Sequence, residues 1–265
     1  METELDPHID RYYSDDYDEI DRLSINASGR LERDRTMELL LRFLPPAPAD
    51  VLDVGGGPGV YAAWLASLGY DVTLIDPVAR HREQASVHGT FAVLEGDARA
   101  LPAADASADV VLVMGPLYHL GDPAERARAL AEARRVARPG GLIAAAFISR
   151  HAPIIDVAAM LRINDDEVYE QLRRLRHEGH NEAGRGFTVA YFHTVAEVRA
   201  DFAAAGLGEP DVYGVEGPLT GLIKSGLAED RPEFFEAALR AARLVEDDPA
   251  MLADNAHLLA FARVD

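Results

Sequence analysis

The sequence contains no cysteine, which excludes disulfides, thiolate catalysis and every zinc site built on Cys. It also lacks a long apolar run: no stretch approaches the ~18 residues of a membrane-spanning helix. Basic charge is scarce. Twenty-six Lys and Arg face 45 Asp and Glu, for a net charge of −19, and lysine occurs once, at Lys224. That field repels a phosphate backbone and no basic stripe offsets it, so nucleic acid is disfavoured as a partner. The opening METELDPHIDRYY is acidic and has no apolar h-region, so it does not read as a secretory signal. A cytoplasmic protein without membrane contact is expected, and its oligomeric state stays open.

What is present is an ordinary globular composition of 265 residues, 48% hydrophobic and 27% charged, long enough to bury a real core. Residues 1–48 read as an N-terminal helical segment. Leu31, Leu39, Leu40 and Phe43 share a helical face, and PPAP at 45–48 ends it. The acidic first 24 residues are expected to be a solvated helical face, with a lid over a site as the alternative.

From residue 49 the pattern alternates. ADVLDV, DVTLI, FAVLE, DVVLV and LIAAAFI read as buried strands separated by helical stretches. Asp122 is expected to cap one helix, with Pro123 at its first position and Glu125 closing a capping box. Residues 49–149 therefore form a ligand-binding α/β core with a parallel sheet covered on both faces. Residues 150–193 turn charged and helical, as a cap or insertion. Residues 194–265 return to the sheet: Thr194 and Glu197 open a helix, and LGEPDVYGV and HLLAFARV read as two last strands around a helix at 232–245.

Parallel α/β sheets bind ligands at the carboxyl ends of their strands. At the first such end stands VLDVGGGPG, a strand running into a glycine turn that lets backbone approach a ligand closely. Gly57 to Ala62 also fits a relaxed dinucleotide pattern, GxGxxA. A P-loop is excluded because no Gly-Lys-Ser/Thr follows. Asp53 separates the remaining readings. A carboxylate beside the turn repels a pyrophosphate and suits a ligand carrying an ammonium and a sulfonium. Asp76 ends the second strand, where an acid holds both ribose hydroxyls; as Asp-Pro it equally suits a helix start. Asp97 follows the third strand, where its carboxylate and the next N–H face an adenine edge.

These motifs, VLDVGGGPG, LIDP, GDARALP, VVLVMGPLYHL and ARPGG, resemble those of class I S-adenosylmethionine-dependent methyltransferases over residues 51–148. The resemblance implies a doubly wound, Rossmann-like seven-stranded sheet of order 3-2-1-4-5-7-6, its last strand, HLLAFARV, antiparallel. It implies S-adenosylmethionine as cofactor. Asp53, Gly55, Gly57 and Gly59 would line its methionine part, Asp76 its ribose, and Asp97 with Ala98 its adenine. The backbone at Met114 and Gly115 would pass the methionine moiety, and Tyr17 and Arg30 would close over it. Where amino-methylating relatives carry an Asn/Asp-Pro-Pro-Tyr type motif, this chain has GPLYH. That departure and the acidic charge point to a small-molecule acceptor.

Methyl transfer is an in-line displacement that needs a base only when the acceptor is protonated. His119 is the first candidate as base or orienter, with Tyr118 beside it and His193 second. Arg150 and His151 are candidates for an acidic group. HEGH at 177–180 does not read as a metal site. The expected function is methyl transfer to an O or N atom of a small metabolite. The alternatives are a non-catalytic cofactor-binding protein, other chemistry on the same fold, and a nicotinamide oxidoreductase.

Overall fold

A computed structural model of the chain describes residues 5–184, 186–229 and 231–265. Among the described residues, seven strands form one sheet: β1 (Asp50–Val54), β2 (Asp71–Asp76), β3 (Ala92–Glu95), β4 (Ala108–Val113), β5 (Ala137–Ile148), β8 (Asp211–Gly214) and β9 (His257–Arg263). Two short strands, β6 (His180–Asn181) and β7 (Ala190–Tyr191), pair as a separate ribbon. The sheet order is β3-β2-β1-β4-β5-β9-β8. Counted within the sheet, this is the expected 3-2-1-4-5-7-6. Strands β1 to β5 pair in parallel, while β9 runs antiparallel to both β5 and β8.

Alternation along the central strands builds two cores. Val111 and Val113 of β4 join Ile143, Ala145 and Phe147 of β5 on one face, and Val110 and Leu112 join Leu142, Ala144 and Ala146 on the other. Each face needs a cover, because burying one such aliphatic side chain contributes about 1.5–3 kcal/mol. Helices α5 (Pro123–Val136) and α8 (Val195–Ala204) cover the first face through Leu130, Ala133, Val198 and Phe202. Helices α2 (Ala27–Phe43) and α3 (Val60–Ser67) cover the second through Leu39, Leu40, Ala62 and Leu65.

Three local expectations change. The N-terminal segment is not one helix: a short α1 (Pro7–Arg11) passes into a π-turn at Tyr12–Asp16, an irregular stretch follows, and α2 starts afresh where the Asn26 side chain accepts the Gly29 N–H at 2.8 Å. Nor is its first part simply a solvated face, since Ile9 and Tyr13, four residues apart, are buried. Asp122 caps α5 by accepting the Ala124 N–H at 2.8 Å, but Glu125 closes no capping box. Its carboxylate turns to Arg99 at 2.6 Å, a stronger, charge-assisted partner. Finally, Thr194 and Glu197 do form the capping box of α8.

Residues 150–193 hold α6 (Ala152–Ala159), α7 (Asp166–Glu178) and the ribbon. Arg150 is buried and ties this region down, donating to the Phe192 carbonyl at 2.6 Å and pairing with Glu197 at 2.7 Å.

One buried ion pair positions the turn after β4. The Arg126 Nε donates to Asp201 Oδ2 at 2.6 Å, and the same guanidinium donates to the carbonyls of Leu120 and Gly121 at 2.9 and 3.0 Å. Asp201→Ala leaves that guanidinium buried and uncompensated. Urea unfolding should show a loss of about 3–5 kcal/mol, and a loss below ~1 kcal/mol would mean that the pair does not hold the turn.

Candidate functional site

A cavity of about 640 Å³ lies at the carboxyl ends of β1, β2 and β4 and reaches the turn after β3. Its first wall is the glycine turn. Gly55 has φ +71°, and a Cβ there would meet the Pro116 ring at 2.5 Å, so the β1 and β4 turns touch only because the residue is glycine. Gly57 has φ +55°, and a Cβ there would meet nothing closer than Glu19 at 3.9 Å, so its backbone faces open space.

Asp76 stands behind this turn, 3% exposed. Its oxygens accept the Gly57 N–H at 3.0 Å and the Val78 N–H at 2.9 Å, and the His81 Nδ1 lies 3.3 Å away. The Asp-Pro therefore makes a turn, and Val78 precedes the next helix, α4 (Ala79–Ser86). Asp97 and Ala98 line the next wall. The Asp97 carboxylate is gripped by Arg99, with Nε at 2.9 Å and the second nitrogen at 2.7 Å. Met114 and Gly115 line the wall at β4, followed by Tyr118 and His119.

The N-terminal segment closes the space from above with Leu5, Ile9 and Tyr13, and then Arg22 and Leu23. The Arg22 guanidinium grips both oxygens of Glu32, at 2.7 and 2.9 Å, and pairs with Glu19. Burial opposes the charge on Glu32, but Arg22 and His257 outweigh it and hold the carboxyl at about 2. Burial likewise opposes charge on His257, yet Glu32 and Glu216 outweigh it and raise its pKa. Glu32, Glu216 and His257 thus converge within 4.8 Å as an ion-pair network that Arg22 joins to the cavity.

Of the residues singled out in the sequence, Gly55, Gly57, Asp76, Asp97, Ala98, Met114, Gly115, Tyr118 and His119 line the cavity. Asp53 lies beneath the glycine turn, with no exposed surface. Gly59 starts α3 behind the wall and packs on Phe91. Tyr17 stacks on Tyr12 at 5.3 Å, away from the cavity, and Arg30 pairs with Glu229 at 3.6 Å. His193 is 1% exposed, packs edge-on against Phe147 and Tyr191, and sits 3.4 Å from Asp201. Burial lowers its pKa. Tyr13, Arg22, His81 and Val189 also line the cavity and were not anticipated. The spacing of Leu5, Ile9 and Tyr13 by four was the signal for Tyr13.

Comparison with known proteins agrees with this edge. Residues 52–145 match the family model described as a methyltransferase domain. An uncharacterized methyltransferase of Mycobacterium tuberculosis is 37% identical over 130 residues, covering 47% of this chain and 51% of its own length. A ubiquinone biosynthesis O-methyltransferase of Methylocella silvestris is 40% identical over 105 residues, covering 38% of this chain and 40% of its own length. The matches thus span about half the length, or less, of these relatives. A methyltransferase structure from Thermotoga maritima superposes over 97% of this chain and 99% of its own, with TM-score 0.62 and 19% identity. Residues 52–145 match a methyltransferase domain, set in a chain that shares the fold of the Thermotoga structure.

The wall suits S-adenosylmethionine, the cofactor that the sequence motifs imply. Gly57 offers bare backbone, Asp76 offers acceptor lone pairs, and the buried His81 Nε2 has no partner among the described residues. Among the described residues, no hydrogen bond of normal geometry reaches either Asp53 oxygen. Burial first, then the neighbouring Asp76, pushes the Asp53 carboxyl up to about 7.

Two outcomes follow. In the ligand-free domain Asp53 keeps its proton to higher pH than in the unfolded chain, where it titrates near ~4. Stability is therefore lost as pH rises from about 4 to about 7, by an amount on the order of 4 kcal/mol. Urea unfolding at about pH 5 and about pH 8 should show more than half of this loss in the native chain and a much smaller one in Asp53→Asn. At the ribose wall, Asp76→Asn should weaken S-adenosylhomocysteine binding about tenfold or more by calorimetry, since an amide nitrogen cannot accept hydrogen bonds.

Proposed function

We propose that this chain transfers the methyl group of S-adenosylmethionine to an oxygen or nitrogen atom of a small metabolite. The carrying observation is that one cavity is lined by two kinds of residue. Gly55, Gly57, Asp76 and Asp97 give it polar groups and bare backbone suited to the cofactor, while Ile9, Tyr13, Leu23, Tyr118 and Val189 give it apolar and aromatic surface. That apolar surface suits an acceptor of modest size, and the chain's −19 charge works against a polyanionic one. The likeness to an O-methyltransferase of ubiquinone biosynthesis supports oxygen as an acceptor atom.

When bound, the cofactor supplies an electrophilic methyl on a positively charged sulfur. The residues of this chain do the rest. Asp76 and the Gly57 turn hold the nucleoside end, the N-terminal segment excludes water, and Tyr118 and His119, which line the same cavity, serve as orienters or base. His193 lies too deep in the core to take part.

Incubating the chain with tritiated S-adenosylmethionine and a small-metabolite extract should give labelled organic product. Binding of S-adenosylhomocysteine without labelled product would instead favour a cofactor-binding role without transfer.

A further inference from the structure

We propose that Tyr13 and His119 act as a proton-accepting dyad for a hydroxyl acceptor, with the Tyr13 oxygen touching the acceptor and His119 taking the proton through it. This rests on the methyl-transfer reading and adds to it the class of acceptor and a catalytic residue from the N-terminal segment.

The geometry fixes the hydrogen positions. His119 Nδ1 lies 3.1 Å from the Val189 carbonyl oxygen, and Nε2 lies 3.0 Å from the Tyr13 hydroxyl. A carbonyl only accepts, so Nδ1 carries the ring hydrogen and donates it. Nε2 is then a lone pair, and the Tyr13 hydroxyl donates to it. With Tyr13 in place, Nε2 is taken, so His119 has no direct reach to an acceptor. The Tyr13 oxygen still has lone pairs to offer.

Three elements hold the pair in this arrangement. The π-turn closes with the Tyr17 N–H donating to the Tyr12 carbonyl at 2.8 Å, and Tyr13 sits within it. The Tyr13 ring packs edge-on against His81 at 5.0 Å and His119 at 5.5 Å. The Thr188 hydroxyl donates to the His8 carbonyl at 3.1 Å, joining the residue before Val189 to the same N-terminal turn. Both members line the cavity.

The step balances. As the acceptor oxygen forms its bond to the methyl carbon, the carbon–sulfur bond breaks and its electron pair stays on sulfur. The acceptor proton moves to the Tyr13 oxygen while the Tyr13 proton moves to His119 Nε2, leaving a neutral tyrosine and an imidazolium. Its Nδ1–H still donates to Val189. The positive charge lost from the site with the sulfonium reappears on His119, so the charge enclosed by the cavity is unchanged.

The chemistry selects hydroxyls. Burial lowers the His119 pKa to about 4; the hydrogen bond to Val189 and the charges of Asp76 and Asp6 work against that fall, and His81 adds to it. Tyr13 and Tyr118 are the other titratable groups against the ring. Burial, with Tyr118 next, raises the Tyr13 hydroxyl well above its ordinary value, so it stays protonated until a proton replaces the one it gives. An imidazole this weak takes a proton from an oxygen that is forming its third bond, to methyl, because the oxonium that bond creates is strongly acidic. It does not take one from an alkylammonium, which titrates near ~10.

The test uses the full chain, S-adenosylhomocysteine, tritiated S-adenosylmethionine, and matched panels of phenols and alcohols against primary amines. Nitrogen-15 spectra of the histidines in the S-adenosylhomocysteine complex should show His119 protonated at Nδ1, and Tyr13→Phe should move the Nε2 signal alone. Tyr13→Phe should keep S-adenosylhomocysteine affinity within about twofold and lower kcat on hydroxyl acceptors about 100-fold, with KM little changed. Tyr13→Phe combined with His119→Gln should lose no more than the worse single variant, as members of one relay do. Unchanged kcat in Tyr13→Phe with S-adenosylhomocysteine still bound, a proton on Nε2, or label passing only to amines overturns the dyad alone. Failure of the native chain to bind S-adenosylhomocysteine overturns the methyl-transfer reading and the dyad with it.

Discussion

Asp76 is buried at the end of β2, and its two oxygens receive the N–H groups of Gly57 and Val78. A buried carboxylate is costly unless its lone pairs are met, and here the donors are the backbone of the glycine turn and of the approach to α4. That one requirement ties β1, β2 and α4 into a single rim. The Gly57 conformation that exposes backbone to the cavity is held by the same bond. The cost is passed to Asp53 next door, which burial and Asp76 together keep protonated up to about pH 7. Two acids side by side under a glycine turn make a region that is less stable by itself than with a cation nearby.

The opposite rim is held differently. The turn carrying Tyr118 and His119 depends on the Arg126 guanidinium, which donates to its Leu120 and Gly121 carbonyls. Arg126 in turn depends on Asp201 of α8, so a helix from the last quarter of the chain fixes the turn after β4. The N-terminal cover is fixed by a third set of charges. Arg22 grips Glu32 of α2, and Glu32 faces His257 at the start of β9. The cavity is thus a joint between segments far apart in sequence, each secured by its own set of charges.

This explains which parts of the molecule were legible in the sequence. The sheet was, because apolar strands such as DVVLV alternate with helices whose caps, Asp122 and Thr194, are written locally. The rim residues Gly57, Asp76 and Asp97 were, because they stand at a strand end or within a few positions after one. Long-range partners were not. His193 and Arg30 have residue types suited to a site, yet Asp201 and Glu229 claim them, and nothing near them in sequence announces those partners. Asp53 points below the turn because its register on β1, opposite Leu74 and Leu112, places it toward the face of the sheet that α2 and α3 cover. Tyr13 was hidden by its acidic surroundings, and only its spacing from Ile9 marked the buried side.

The charge of the cavity follows from the same arrangement. Its wall carries Asp6, Glu19, Asp76, Asp97 and Glu125 against Arg22 and Arg99. Arg99 is bound to Asp97 and Glu125, and Arg22 to Glu32 and Glu19, so neither arginine is left to attract an anion. What remains is a net acidic enclosure with apolar and aromatic surface among its acids. Such an enclosure favours a cation and disfavours a phosphate, which is the distinction Asp53 raised at the glycine turn. The preference that a single carboxylate suggested in the sequence is, in the folded chain, a property of the whole wall.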